Sequence, residues 1–188
     1  MPREWAASGA RGGVNFLPDL STRTSDAIAA QIDTAKVAGD IVVASIHWGS
    51  NWGYDVTPAQ REFARRLIDR ARIDVIHGHS AHHPLGIEVY RDRPILYGCG
   101  DILNDYEGIR GHESFRPDLT AAYFPTFDTA TGLLTRLTLA PLQIRRFRVN
   151  HATASDGRWL AQVLSREGRR FGTAVSVETD QRLVVRWR

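Results

Sequence analysis

The chain of 188 residues has the length of one ordinary domain, and its 43% hydrophobic content can fill a core, which excludes a disordered chain. A mean hydropathy of −0.29 without a long apolar run excludes a membrane span in this sequence, and a single cysteine, Cys99, excludes a disulfide framework or four-cysteine zinc ribbon. The net charge of +3 comes from 24 basic residues, with Lys36 the only lysine, interspersed with 21 acidic ones. This arginine bias differs from the basic, aromatic-interleaved surface of nucleic-acid-binding proteins, so we expect no nucleic-acid partner.

The first 40 residues predict a loop followed by one helix. Gly, Pro and Arg dominate the start, where the residues around Val14–Phe16 predict one short strand. Apolar residues at helical spacing predict a helix over Ser25–Val37, which Gly39 ends. The β-branched run Ile41–Ile46 is then typical of a buried strand.

The next segment predicts a βαβ unit. Thr57 as the N-cap, Pro58 as the first helical residue and Gln60 three residues after the cap form a capping box. The helix they start extends to about Arg72, and Asp74–His77 follows as a second buried strand. A strand, a helix and a strand at this spacing predict two parallel strands joined by a right-handed crossover.

The rest of the chain predicts antiparallel structure. Two strand pairs are predicted, a hairpin of Ile87–Tyr90 with Pro94–Tyr97 and a second pair of Ala122–Phe127 with Leu133–Leu139. A further strand follows over Gln143–Val149. A helix from Ser155 or Asp156 to about Glu167 and a strand over Leu183–Trp187 complete the chain's pattern. With no internal repeat or linker in the chain, residues 1–188 predict a single α/β domain, parallel first and antiparallel later.

Histidines follow both strands of the βαβ unit. His47 ends the first strand, and four of the seven histidines lie within residues 77–83 after the second. Because ligands gather at the carboxyl ends of strands in open α/β sheets, we expect these side chains to share one crevice. Neutral imidazole is a common ligand of Zn, Mn and Fe, and we expect Gly78 to let the backbone and His79 approach a metal closely, with His82 presented beside it.

Structural roles for some of these histidines stay open. His47 alone would more often be a hydrogen-bonded structural residue than a ligand, but buried imidazoles without partners are costly, and four in seven residues point to a metal. His77 and His83 are expected to pack or to surround the ligands rather than to bind the ion. His112 and His151 lie outside the cluster and receive no role.

A second polar cluster follows the first hairpin. It contains Cys99, Asp101, Asn104 and Asp105. These residues either form a capped loop, because Asp and Asn favour turns, or place carboxylate and amide groups near the crevice of the histidines. Without a neighbouring base, Cys99 is not expected to act as a nucleophile.

Five segments in a fixed order carry a family resemblance. They are Asp40–Gly49, Pro58–Asp69, Asp74–His82, Gly86–Tyr90 and Pro94–Gly100. In this order they resemble the CapA (PgsA-like) poly-γ-glutamate capsule biosynthesis proteins, a bacterial branch of the calcineurin-like metallophosphoesterase superfamily. The resemblance extends from about residue 13 to 108 and implies a metallophosphatase-type α-β-β-α sandwich, with the last third matching in length and strand content only.

The resemblance also implies metal ligands. In that superfamily a histidine at a strand end and a later Gly-His-x-His element bind two metals, and this branch has one extra residue between the paired histidines. His47 matches the first position, while His79 and His82 match the second element. By this match His47 and His79 share one metal, Mn, Zn or Fe, and His82 faces the other. Two metals about 3.5–4 Å apart clamp a phosphoryl group and activate water. Asp101 stands where the family often has asparagine.

The other superfamily elements are missing from this sequence. Asp-x-His, a bridging Asp and Gly-Asn-His normally precede the strand that ends at His47, and none of them occurs there. We therefore expect the C-terminal part of a CapA-like protein, with a half-retained dinuclear metal site, no hydrolytic activity on its own, and an exposed strand edge.

The resemblance implies a role in the synthesis, export or anchoring of poly-γ-glutamate or a related capsule polymer. The expected partners are other capsule-synthesis proteins and an anionic polymer or phosphorylated substrate. Family members are commonly anchored in the membrane with the domain outside the cytoplasm, but this sequence contains neither a secretory signal nor an anchor.

Two alternatives remain open. The first is a metal-dependent phosphoesterase whose missing ligands come from a preceding segment or a partner. The second is a non-catalytic module that binds polyanions through arginines of the last third, namely Arg145, Arg146, Arg148, Arg166, Arg169, Arg170, Arg182, Arg186 and Arg188.

Overall fold

The structure is a computed structural model that describes residues 3–104 and 109–188. These residues form three α-helices and nine strands. The helices are α1 (Thr22–Ala35), α2 (Pro58–Ala71) and α3 (Ala154–Gly168). The strands are β1 (Val43–His47), β2 (Val75–His79), β3 (Ile87–Tyr90), β4 (Arg93–Leu96), β5 (Leu119–Phe127), β6 (Leu134–Arg145), β7 (Arg148–His151), β8 (Thr173–Val177) and β9 (Leu183–Trp187). Among these residues, no helix is both long enough and apolar enough to cross a bilayer.

The predicted βαβ unit is confirmed. β1 and β2 are parallel neighbours, and α2 connects them. The capping box starts the helix as expected, because the Thr57 hydroxyl accepts a hydrogen bond from the Gln60 amide while the Gln60 side chain accepts one from the Thr57 amide. The helix ends where Arg72 adopts the left-handed conformation, with φ of 51°.

β1 is an edge strand, so the prediction that Ile41–Ile46 is a buried strand is wrong. The first sheet has the order β1-β2-β4-β3, which leaves one side of β1 without a neighbour among the described residues. Ile41 is 43% exposed and Val43 is 55% exposed, whereas Ile46 is buried. β-branched residues favour a strand, but they do not determine whether another strand lies beside it.

The antiparallel part differs from the prediction at several elements. Gln143–Val149 is not one strand but the end of β6, a turn and the start of β7, and β8 was not predicted. Instead of a strand, Val14–Phe16 contributes one isolated bridge from Val14 to Ala6. α3 begins earlier than expected because the Thr153 hydroxyl, rather than Ser155 or Asp156, caps it.

Two hydrophobic cores lie on opposite faces of the first sheet. α1 and α2 cover one face of the first sheet, and α3 packs with the second sheet, of order β5-β6-β9-β8 with β7 beside β6. Neighbouring residues of β4 and β3 point to opposite sides: Ile95 belongs to the α2 core, whereas Leu96 and Ile87 belong to the α3 core. This mixed α/β arrangement is consistent with the C-terminal part of a metallophosphatase-like fold, as predicted.

The start of α3 is tied to β5 by an arginine between two carboxylates. The Arg116 guanidinium donates to Asp118 at 2.8 and 2.9 Å and to Asp156 at 3.0 Å. Burial raises the pKa of Asp118, but hydrogen bonds from Arg116 and Gln143 outweigh this and lower it overall. The Thr153 hydroxyl, followed by Arg116, lowers the pKa of Asp156. The network is therefore a source of stability that acid removes.

Acid sensitivity tests this network. Because both folded-state pKa values lie below the ordinary value of 3.8, the stabilisation is complete above that pH and is lost as the pH falls through the folded-state values. We expect Arg116→Gln to lower the free energy of unfolding by about 1–2 kcal/mol at pH 7 and by less near pH 3. Urea denaturation at both pH values measures this, with Arg182→Gln, from the exposed pair with Asp180, as the neutral control. An equal loss at both pH values would contradict the account.

Candidate functional site

Two of the predicted ligand histidines face each other at the carboxyl ends of β1 and β2. His47 and His79 are paired in the parallel register, and their Nδ1 atoms lie 3.3 Å apart. The rings meet edge to face, with centroids 5.1 Å apart. The Trp48 amide donates to the His79 carbonyl at 3.0 Å, which continues the pairing beyond the strand end.

The geometry of this pair is compatible with a shared metal ion. Burial lowers the pKa of His79, and the neighbouring imidazoles of His47 and His77 lower it further, so His79 is neutral at pH 7 and its ring can offer a lone pair. A tetrahedral ion with nitrogen ligands at about 2.0–2.1 Å holds those nitrogens about 3.3–3.4 Å apart, which is the separation of the two Nδ1 atoms. Without an ion, one Nδ1 must donate a hydrogen bond to the other.

His82 lies in a series of hydrogen bonds that extends from Ser80 through Asn51 to Asp101. The Ser80 hydroxyl donates to Asn51 Oδ1 at 3.1 Å, and Asn51 Nδ2 donates to His82 Nε2 at 3.3 Å. His82 Nδ1 lies 3.0 Å from an Asp101 oxygen that can only accept when ionised. These donors and acceptors are satisfied together when His82 is neutral with its proton on Nδ1. The lone pair of Nε2 then points towards Asn51.

The hydrogen bonds around His82 accompany an unusual backbone conformation at Ser80. Ser80 has a φ of 122°, a value that side-chain-bearing residues rarely adopt. This conformation places the Ser80 hydroxyl within reach of Asn51, whose carbonyl accepts a hydrogen bond from the His82 amide at 3.1 Å. Such strain clusters at functional sites.

The residues expected around the ligands divide into three groups. His77 lies beside the pair, with its Nδ1 atom 2.9 Å from the Ser45 hydroxyl, and burial lowers its pKa. Asp101 accepts from His82 and, at 3.3 Å, from the Asn104 amide. Asp105 lies outside the described residues.

His83, predicted to pack or to surround the ligands, is fully buried. Its ring stacks on Phe115 at 4.7 Å and meets the edge of Tyr54 at 4.7 Å. Burial lowers its pKa, and its Nε2 atom has no hydrogen-bond partner among the described residues. His83 is therefore a neutral packing residue at the back of the site.

The donor set among the described residues is incomplete for a metal. Within residues 3–104 and 109–188, no three His, Cys, Asp or Glu side chains are gathered in a group that could hold an ion. The structure brings His47 and His79 together as two nitrogen donors, whereas Asp101 and Asn51 hold His82. The residues present thus fit one end of a metal site, and further ligands would have to come from other groups.

Sequence reasoning missed several residues of the site. Asn51, Ser80 and Ser45 contact the histidines, but small polar residues are too common in loops to be recognised. Trp52 stacks on His112 with ring centroids 3.9 Å apart, and nothing in the sequence relates two residues so far apart in the chain.

The expected role of Gly78 needs correction. We expected this glycine to let the backbone and His79 approach a metal, but the space beside its Cα is already filled. A Cβ atom at Gly78 would lie 2.5 Å from Trp48 Nε1 and would overlap the Tyr97 carbonyl. The glycine is required by the packing of Trp48 and Tyr97, because residue 78 points to the opposite face of the sheet from His77 and His79.

The arginines of the last third do not form one continuous surface. They lie on different elements, and some are already engaged: Arg166 pairs with Glu167, and Arg182 pairs with Asp180. Arg170 donates to the Tyr54 carbonyl. A polyanion surface made from all of them therefore has no structural basis beyond local groups.

The mixed α/β fold and the paired histidines at parallel strand ends are consistent with the C-terminal part of a metallophosphatase-like protein. Residues 1–106 match the family described as "Bacterial capsule synthesis protein PGA_cap". The chain belongs to this family, and the predicted resemblance to CapA proteins is confirmed.

Curated relatives agree with the family assignment. The chain is 48% identical over 186 residues to a "Probable polyglutamine synthesis accessory protein" of Mycobacterium tuberculosis, a match covering 98% of this chain and 49% of the relative. It is 39% identical over 83 residues to the "PGA biosynthesis protein CapA" of Bacillus subtilis, covering 44% of this chain and 22% of that protein. The "Capsule biosynthesis protein CapA" of Bacillus anthracis is 29% identical over 103 residues, covering 55% and 24%. The chain thus spans about half the length of the mycobacterial relative, whose match includes the last third.

Proposed function

We propose that this chain contributes to the synthesis, export or anchoring of a poly-γ-glutamate or related capsule polymer, and that His47 and His79 hold one divalent metal for that role. The role in polymer synthesis is supported by family membership and by the names of the relatives. The metal is supported by one observation, the 3.3 Å separation of two Nδ1 atoms at neighbouring strand ends. Imidazole suits Zn and Fe well, and Mn is the third candidate because the family resemblance implies it.

The chemistry proposed for the site follows from its donors. A bound divalent ion would act as a Lewis acid towards an anionic oxygen, such as that of a phosphoryl or carboxylate group. His47 and His79 would hold the ion, and the backbone pairing would keep their Cα atoms side by side. Two nitrogens leave the rest of the coordination shell to groups outside this pair, so the complete site requires additional ligands.

The His82–Asp101 pair favours a metal-dependent phosphoesterase as a second candidate function. Asp101 holds a proton on Nδ1 of His82, so Nε2 carries the lone pair that accepts from Asn51; were Asn51 displaced, that lone pair would suit a base or a second metal ligand. Metal-dependent turnover of p-nitrophenyl phosphate would support this candidate. Metal binding without turnover would support the accessory role alone.

Removing one member of the histidine pair tests the metal assignment. We expect His79→Ala to weaken Zn²⁺ or Mn²⁺ binding by about 100-fold or more, since even residues that only support a ligand contribute 10–100-fold. Isothermal titration of the purified chain measures the affinity and the number of ions bound. The matched control is His151→Ala, at an exposed histidine on β7. Unchanged affinity in His79→Ala, or an equal loss in both variants, would rule out the pair as the binding site.

A further inference from the structure

The turn between β6 and β7 forms an exposed basic and aromatic tip. The tip consists of Arg145, Arg146, Phe147 and Arg148, all of which are exposed, and Phe147 is exposed by 60%. The pairing of β5 with β6 begins opposite Gln143, so the tip extends past the end of its neighbouring strand. The Arg145 and Arg148 guanidinium groups and the Phe147 ring are therefore concentrated at one protruding point of the second sheet.

The backbone of the tip has a conformation that its residues disfavour. Arg146 and Phe147 are the two central residues of the turn, with φ of 55° and 52°. Two-residue hairpin turns of this kind normally contain Asn-Gly or Asp-Gly, because side chains with a Cβ resist positive φ. A phenylalanine at the second of these positions is unfavourable for the turn itself, which indicates that its exposed ring serves another purpose.

The rest of the hairpin holds the tip in place. The Asn150 side-chain amide donates to the carbonyls of Gln143, Arg145 and Arg148 at 3.1 to 3.3 Å. Ile144 is buried below the turn. Among the described residues, no ion pair joins the Arg145 or Arg148 side chain to a carboxylate, so these two charges are available to an external anion.

We propose that this tip docks on the surface of an anionic phospholipid bilayer. Arginine attracts the phosphate headgroups, and a phenyl ring at the apex enters the boundary between headgroups and acyl chains. A polyanion such as poly-γ-glutamate would engage the guanidinium groups but would give Phe147 no apolar partner. A linear polymer would also need an extended track of charges rather than a single point. The combination of charge and aromatic ring therefore favours a bilayer.

Vesicle binding tests the proposal directly. The purified chain is sedimented with vesicles of phosphatidylcholine alone and of phosphatidylcholine with phosphatidylglycerol in equal parts. We expect salt-sensitive binding to the anionic vesicles only. Each arginine contributes about five-fold to the partition constant, so Arg145→Gln and Arg148→Gln together reduce it by about 25-fold. Phe147→Ala reduces it by about three- to ten-fold without changing the charge.

Matched variants separate this docking from general stability and charge. Phe124→Ala removes an equally accessible ring, 52% exposed on β5, and Arg186→Gln removes a charge elsewhere; both should bind like the parent chain. Phe147→Gly places glycine at a positive φ, so it should raise the melting temperature while weakening vesicle binding. Absent anionic binding, or equal binding by all variants, overturns the proposal. Binding to poly-γ-glutamate that needs the arginines but not Phe147, with no vesicle binding, overturns it in favour of a polymer contact.

Discussion

Gly78→Ala is expected to lower the free energy of unfolding by about 3–5 kcal/mol, the sum of overpacking and a lost buried hydrogen bond. The added methyl group would lie 2.5 Å from Trp48 Nε1 and would overlap the Tyr97 carbonyl, and it cannot move because Gly78 lies within β2. Trp48 Nε1 now donates to that carbonyl at 3.0 Å in a buried environment. Displacing Trp48 leaves its indole N–H without a partner and removes its stacking on Tyr97.

Chemical denaturation followed by tryptophan fluorescence measures the effect of Gly78→Ala. Gly157→Ala is the matched control, since the nearest atom to its new methyl group is 3.5 Å away and the residue lies in α3. That substitution should stabilise the protein by about 0.5–1 kcal/mol, because alanine is a better helix former than glycine. Similar stabilities of the two variants would show that the space beside Gly78 is not filled as described.

Asp74→Ala is the second substitution with a large expected effect, a loss of about 3–5 kcal/mol in the free energy of unfolding. Asp74 is 3% exposed and accepts hydrogen bonds from Lys36 Nζ at 2.7 Å and the Val42 amide at 2.9 Å. Arg93 pairs with its other oxygen at 3.0 Å. The Asp74 carboxylate thus links three places in the fold: the end of α1, the start of β1, and β4. Its removal leaves the largely buried cations of Lys36 and Arg93 without their shared anion.

Urea denaturation at pH 7 compares Asp74→Ala with a surface counterpart. Asp33→Ala breaks the ion pair of Asp33 with Arg72, in which both side chains are more than half exposed. Exposed pairs contribute about 0–1 kcal/mol, so this variant should unfold at nearly the parent urea concentration. If the two variants lose equal stability, the buried carboxylate does not join the three elements in the way described.

Local signals made much of the fold predictable. The capping box at Thr57 and Gln60 and the two runs of β-branched residues depend on neighbours in the chain, and the βαβ unit follows from them. The exposure of Val43 depends on whether another strand lies beside β1, which no local pattern encodes. The turn at Arg146–Phe147 was missed because its residues carry none of the usual turn signals.

The candidate site was predictable in position but not in detail. Parallel strands end at one edge of a sheet, so His47 and His79 had to lie close together once the βαβ unit was identified. The hydrogen bonds of His82 to Asn51 and Asp101 depend on loops that meet only in the folded chain. The role of Gly78 was predicted from its neighbour His79. A glycine is needed at this position because Trp48 and Tyr97 fill the space on the other face of the sheet.

The most direct test of the central claim is ¹⁵N NMR of the histidine side chains during titration with Zn²⁺. If the two histidines share one ion, the Nδ1 resonances of His47 and His79 shift together as Zn²⁺ is added, while both ring nitrogens of His151 stay unchanged. This result would place one ion between the two strand ends. A titration in which His47 and His79 keep their metal-free resonances, while other histidines take up the ion, would contradict it.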